Sequence, residues 1–91
     1  MRPLYIYVCH RGWVYVGRPR QSGPDALFIV LDDFAVVRQW GTTQGLGQLA
    51  REGPRPETKF DPEPNGTEIA VTDIKRRIPT IPESWRGWPK R

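Results

Sequence analysis

Apolar side chains recur at every second position near the start of the chain. Leu4, Ile6 and Val8 alternate with Tyr5, Tyr7 and Cys9, which is the spacing of a strand, and both faces are apolar enough to be covered. His10, Arg11 and Gly12 form a short connection with glycine where positive φ is needed, and Trp13 to Val16 resume the alternation. The pattern predicts a β-hairpin. Gly17 to Pro24, mixing prolines, glycines and arginines, reads as a loop. Ala26 to Leu31 is an unbroken apolar run, too short for a helix and rich in Phe28, Ile29 and Val30, and is the expected central strand. Asp32 and Asp33 then read as a tight turn into a further strand, Phe34 to Arg38.

The period changes once. Leu46, Leu49 and Ala50 recur at helical spacing, Thr42 or Thr43 stands where a cap is wanted, and Gly53 followed by Pro54 supplies a stop. A short helix is expected over 43–52, dependent on burying its leucine stripe because so few residues cannot hold a helix in water. The proline-rich stretch 54–66 is expected to be a loop ending in the turn dipeptide Asn65-Gly66. Thr67 to Val71 and Ile74 to Ile78 read as strands, and beyond Ile78 no period is visible. The fold class is therefore mainly β (α+β): a small antiparallel sheet or partly curled barrel of about five or six strands with one short helix. The β-rich domain is placed at 1–78, with a basic, Trp- and Pro-rich tail at 79–91.

Composition narrows the chemistry. The chain has 91 residues, 37% of them hydrophobic, which makes one small domain with one modest core. Its one Cys and one His supply neither an internal disulfide nor a zinc ligand set, so no metal and no cofactor is expected. No apolar stretch approaches the ~20 residues of a bilayer span, and a soluble, intracellular protein with no membrane partner is expected. Charge is uneven: residues 1–74 hold eight basic and nine acidic side chains, whereas 75–91 hold six basic and one acidic.

Adjacent Cys9 and His10 invite a thiol–imidazole reading, yet strand neighbours point to opposite faces, so a buried cysteine is the simpler reading. Asp32 and Asp33 fit turn residues better than an acid/base couple, and neither Ser22 nor Ser84 sits in a nucleophile elbow. No enzyme is expected. The start of the predicted helix offers unpaired N–H groups beside Thr43 and Trp40, with Arg38 as supporting charge for an anion; the alternative is an ordinary capped helix. In the tail, Lys75, Arg76, Arg77, Arg86, Lys90 and Arg91 are interleaved with Ile78, Ile81, Trp85 and Trp88. Such residues neutralise phosphates and stack on rings; alternatively, the tryptophans fold back over the sheet and leave the arginines as a solvated rim. The candidate partner-binding residues are Arg38, Trp40, Thr43, Arg76, Arg77, Trp85 and Arg86.

Trp40 to Thr43, the run from Gly45 to Ala50 and the following Glu52-Gly53 resemble a group of short bacteriophage and prophage proteins of uncharacterised function. Those proteins share a strand ending in Arg and Trp followed by a Leu-x-x-Leu-Ala helix closed by Gly, matched here by Val36 to Trp40 and Leu46 to Gly53. The resemblance implies a phage accessory protein that binds a host component in the host cytoplasm. With the basic and aromatic residues above, the expected function is non-catalytic binding and neutralisation of an anionic host target, either a nucleotide signal of an antiviral pathway or an acidic defence protein. A nucleic-acid-binding module without sequence preference and a minor virion component are the alternatives. A small sheet with uncovered edges also predicts a homo-oligomer.

Overall fold

The computed structural model describes residues 2–89, so Lys90 and Arg91 of the predicted tail lie outside the described residues. The elements are β1 (Tyr5–Cys9), β2 (Val14–Pro19), β3 (Phe28–Gln39), α1 (Leu46–Glu52), β4 (Lys59–Glu63), β5 (Thr67–Ala70) and β6 (Ile74–Pro79), with 3-10 turns at His10–Gly12, Val71–Asp73 and Pro82–Trp85. All strand pairs are antiparallel, in the order β4-β3-β2-β1-β6, with β5 also on β3. The protein is mainly β with one short helix, as the periodicity predicts.

The β1–β2 hairpin forms where expected, closed by Arg11 and Gly12 at φ 64° and 80°. Its second strand reaches Pro19 and so takes in the start of the predicted loop. The larger correction concerns Asp32 and Asp33. They do not turn the chain but lie inside the single long strand β3. Opposite β2 the register moves from Val16↔Ala35 to Arg18↔Asp32, an extra residue on β3, and Asp33 takes that bulge at φ 52°. Asp tolerates this left-handed conformation, so the acidic pair bends the strand rather than ending it.

The proline-rich stretch, expected to be a loop, contains a strand: β4 runs through it and carries Pro62. A proline is accommodated there since β4 is an edge strand with a neighbour on one side alone. The Asn65-Gly66 turn is present, with the Gly66 N–H donating to the Glu63 carbonyl. It does not make a hairpin. β4 and β5 run in the same direction along β3, and the turn is a kink in that edge opposite the Asp33 bulge.

In a flat sheet Ala70, beside Phe28, and Ile74, beside Cys9, would lie near opposite corners, roughly 19 Å apart across the strands alone. The 3-10 turn joining them spans about 14 Å at most. The sheet is therefore strongly coiled, and each face has its own core. Tyr7, Cys9, Leu31, Phe34 and Ile69 pack on the inside of the coil. Outside, Leu4, Ile6, Val14, Val16, Ala35 and Val37 are covered by Leu49 and Ala50 of α1 and by Trp85 and Trp88. Thus the residues assigned to a separate tail are part of the globule, with Trp85 3% and Trp88 6% exposed. The fold-back alternative is the one realised: each indole brings apolar area that the outer core of a small sheet otherwise lacks. Their N–H groups donate to the Ala50 and Asp33 carbonyls.

Candidate anion-binding surface

β6 follows the second edge of the sheet, and its sequence places Lys75, Arg76 and Arg77 in a row there, all exposed. Register against β1 fixes their directions. Arg77 is opposite Tyr7, whose ring belongs to the inner core, while Arg76 is opposite Val8 on the helix-bearing side. Lys75 falls at a register shift between Val8 and Cys9. The guanidinium of Arg77 lies 4.1 Å from the centroid of the Tyr5 ring, a cation–π contact that holds it at the edge. Arg76 lines a hollow with Val8, Val14, Leu46 and Trp40, and Trp40 is 42% exposed.

Elsewhere six arginines are paired with carboxylates, and Arg11 in the β1–β2 turn is not. Arg2 and Arg20 bind Asp32, Arg18 binds Asp33, Arg38 binds Asp61, and Arg51 and Arg55 bind Glu52. Among the described residues, no carboxylate lies within ion-pair distance of Lys75, Arg76, Arg77 or Arg86. The hydrogen bonds from Arg20 and Arg2 hold the Asp32 carboxyl down at about 2. This cluster braces the β3 bulge and is occupied with internal work.

The seven candidate residues thus separate. Trp40 and Arg76 meet across the hollow, and Arg77 stands on the other face of the same strand. Arg38 does not support the helix start, because its guanidinium donates to Asp61 at 2.6 Å instead. Thr43 does not cap α1 either. No side chain caps it: the Gln48 Oε1 accepts from the Gln44 N–H at 2.7 Å, ahead of the helix, and the Thr42 hydroxyl donates to the Gly45 carbonyl. Trp85 is buried and offers no open face for stacking, so its role in direct ring contact is corrected to that of a core residue. Arg86 remains exposed beside it, on the rim of a second cavity that Arg2, Arg18 and Tyr5 also line.

Cys9 is fully buried, and desolvation, helped by nearby Asp73, pushes its thiol up to about 11. It stays protonated near neutrality and is a packing residue. The Tyr7 hydroxyl is buried without a hydrogen-bond partner, and burial raises its pKa against the opposing influence of Arg77. No group of three or more His, Cys, Asp or Glu able to hold a metal ion occurs among the described residues, and no helix there is long and apolar enough to cross a membrane. Sequence reasoning missed Tyr5, Arg2 and Arg18 as neighbours of the C-terminal segment, since nothing local marks residues that converge from separate parts of the chain.

Comparison with family models, with curated proteins and with solved structures finds no match to this chain.

Proposed function

We propose that the protein is a non-catalytic binding protein whose β6 edge captures an extended, acidic segment of a host protein. In keeping with the resemblance to short phage proteins, it acts stoichiometrically by covering the surface of a defence component. One observation carries the reading. Lys75, Arg76 and Arg77 are consecutive and exposed, and among the described residues they have no carboxylate partner and sit on a strand edge that no other strand pairs.

A strand added to such an edge gains main-chain hydrogen bonds, and its alternate side chains fall on the two faces of the sheet. Acidic side chains on one face meet Arg77, while apolar ones on the other lie over the hollow of Val8, Val14, Leu46 and Trp40. Pairing of β6 with β6 of a second copy would set like charges opposite each other, which is unfavourable. The edge thereby favours an acidic partner over itself, and a homo-oligomer has to use another surface.

Calorimetric titration with a short synthetic peptide alternating Glu and Val tests this, with the Lys and Val counterpart as control. The Glu peptide should bind and the Lys peptide should not. Replacing Arg76 and Arg77 together by Glu should weaken binding by about a hundredfold, and Lys59→Ala on the opposite edge should leave it unchanged. Equal binding of both peptides, or indifference to the charge reversal, overturns the proposal. The nucleic-acid reading uses the same cations but loses its stacking platform with Trp85 and Trp88 buried. A DNA oligonucleotide that binds more tightly than the Glu peptide, with affinity falling steeply with salt, would favour it instead.

A further inference from the structure

We propose that the cavity between the N-terminal strand and the C-terminal segment is a small-molecule site for a flat-ringed compound carrying a single negative charge. A cyclic mononucleotide is the biological form of that chemistry. This site adjoins the end of β6 at Pro79 but uses none of Lys75, Arg76 and Arg77.

The cavity has a volume of about 460 Å³, within the roughly 300–1,000 Å³ usual for ligand sites. Leu4, Tyr5, Trp85 and Trp88 give it an apolar, aromatic base. Pro3, Pro79 and Pro82 stand around it, and their fixed φ makes the walls stiff before any ligand arrives. An apolar ring can enter without the protein reordering.

The polar groups are few and converge. Arg18 donates to Asp33 at 2.8 Å and to the Arg2 carbonyl at 2.7 Å, and Arg2 donates to Asp32 at 2.7 Å. Both guanidiniums are therefore held in place, and each has more N–H donors than these bonds consume. Each is already paired with an aspartate, although Arg2 shares Asp32 with Arg20. Arg86 is exposed, and no carboxylate among the described residues lies within ion-pair distance of it, so it supplies the attraction for an anion. Glu83 lines the same cavity and opposes accumulation of negative charge. One cation not balanced by a contact pair, facing one nearby carboxylate, favours a monoanion over a triphosphate.

The test is calorimetric titration of the full chain with adenosine, 3′,5′-cyclic AMP, ATP and 2-naphthoate. Cyclic AMP or naphthoate should bind, with adenosine and ATP each weaker by about tenfold. Arg86→Ala should weaken the monoanion by a similar factor, while Glu83→Gln should raise ATP affinity toward that of cyclic AMP. Both side chains are exposed, and unchanged denaturation curves verify that the variants fold. The proposal is overturned if neither monoanion binds at millimolar concentration, if adenosine binds as well as cyclic AMP, or if ATP is preferred by the unmodified protein.

Discussion

The two edges of the sheet carry opposite characters. Along β4 and β5 the edge is acidic, with Asp61, Glu63 and Glu68, and it is broken by Pro62, Pro64 and the Gly66 kink. Along β6 it is basic, and its first proline comes only at the end, at Pro79. Proline, kinks and charge are all devices that stop a strand from recruiting another. One edge uses all of them and is closed to pairing. The other has a register shift at Lys75 and a proline at its end but relies chiefly on charge. That charge disfavours basic strands and its own copy and, on the proposed reading, leaves the edge open to an acidic one.

The contrast depends on β6 being held in place by the residues after it. Thr80 donates to the Leu4 carbonyl, and Trp85 anchors the following turn on α1. Trp85→Ala should therefore have the largest effect on stability, a loss of about 3–5 kcal/mol in chemical denaturation. A loss below about 1 kcal/mol would mean that the segment is an appendage after all.

The acidic edge is tested by Gly66→Ala. Gly66 has φ 79°, and a methyl there would stand 2.7 Å from the Leu31 carbonyl oxygen, so the kink should resist the change at a cost of about 1–3 kcal/mol. If the substitution is neutral, the kink is not what separates β4 from β5.

Asp32 beside the bulge gives a pH signature. Its carboxyl is lowered from 3.8 to about 2, first by the hydrogen bond from Arg20 and then by that from Arg2. The folded state thus binds this proton less readily than the unfolded chain, and the stabilisation is complete above the unfolded value. It should fade as pH falls from about 4 to about 2. In Asp32→Asn that part of the acid dependence should disappear; an unchanged pH profile would contradict the assignment.

The smallest effect belongs to the ion pair of Arg38 with Asp61, whose side chains are 63% and 54% exposed. Asp61→Asn should change stability by less than about 0.5 kcal/mol, since water and salt screen such a pair. A larger change would show that the acidic edge has a structural role beyond excluding partners.

Much of this architecture is legible in the sequence. Alternation marks β1, β2 and β5, each of which buries at least part of one face, and the leucine stripe marks α1. Asp32 and Asp33 mislead because two acids after an apolar run look like a turn, whereas the ladder to β2 continues past them around a bulge. β4 is hidden by its prolines, which are tolerated only because it lies at an edge, and edge position is a property of the whole sheet. The basic run 75–77 is plain in the sequence, but its lack of ion-pair partners is not. Arg38 finds Asp61 and Arg2 finds Asp32 through the fold alone. The cavity is the least legible feature, since it needs the turn after β6 to fold back beside residues 2–5.

The most direct test of the account is amide hydrogen exchange followed by NMR during titration with the alternating Glu and Val peptide. The account predicts that β6 amides between Lys75 and Ile78 that face solvent become protected on binding, and that the Trp40 indole signal shifts with them. Peptide binding that leaves those amides exchanging at their original rates, or that protects β4 and β5 instead, would contradict it.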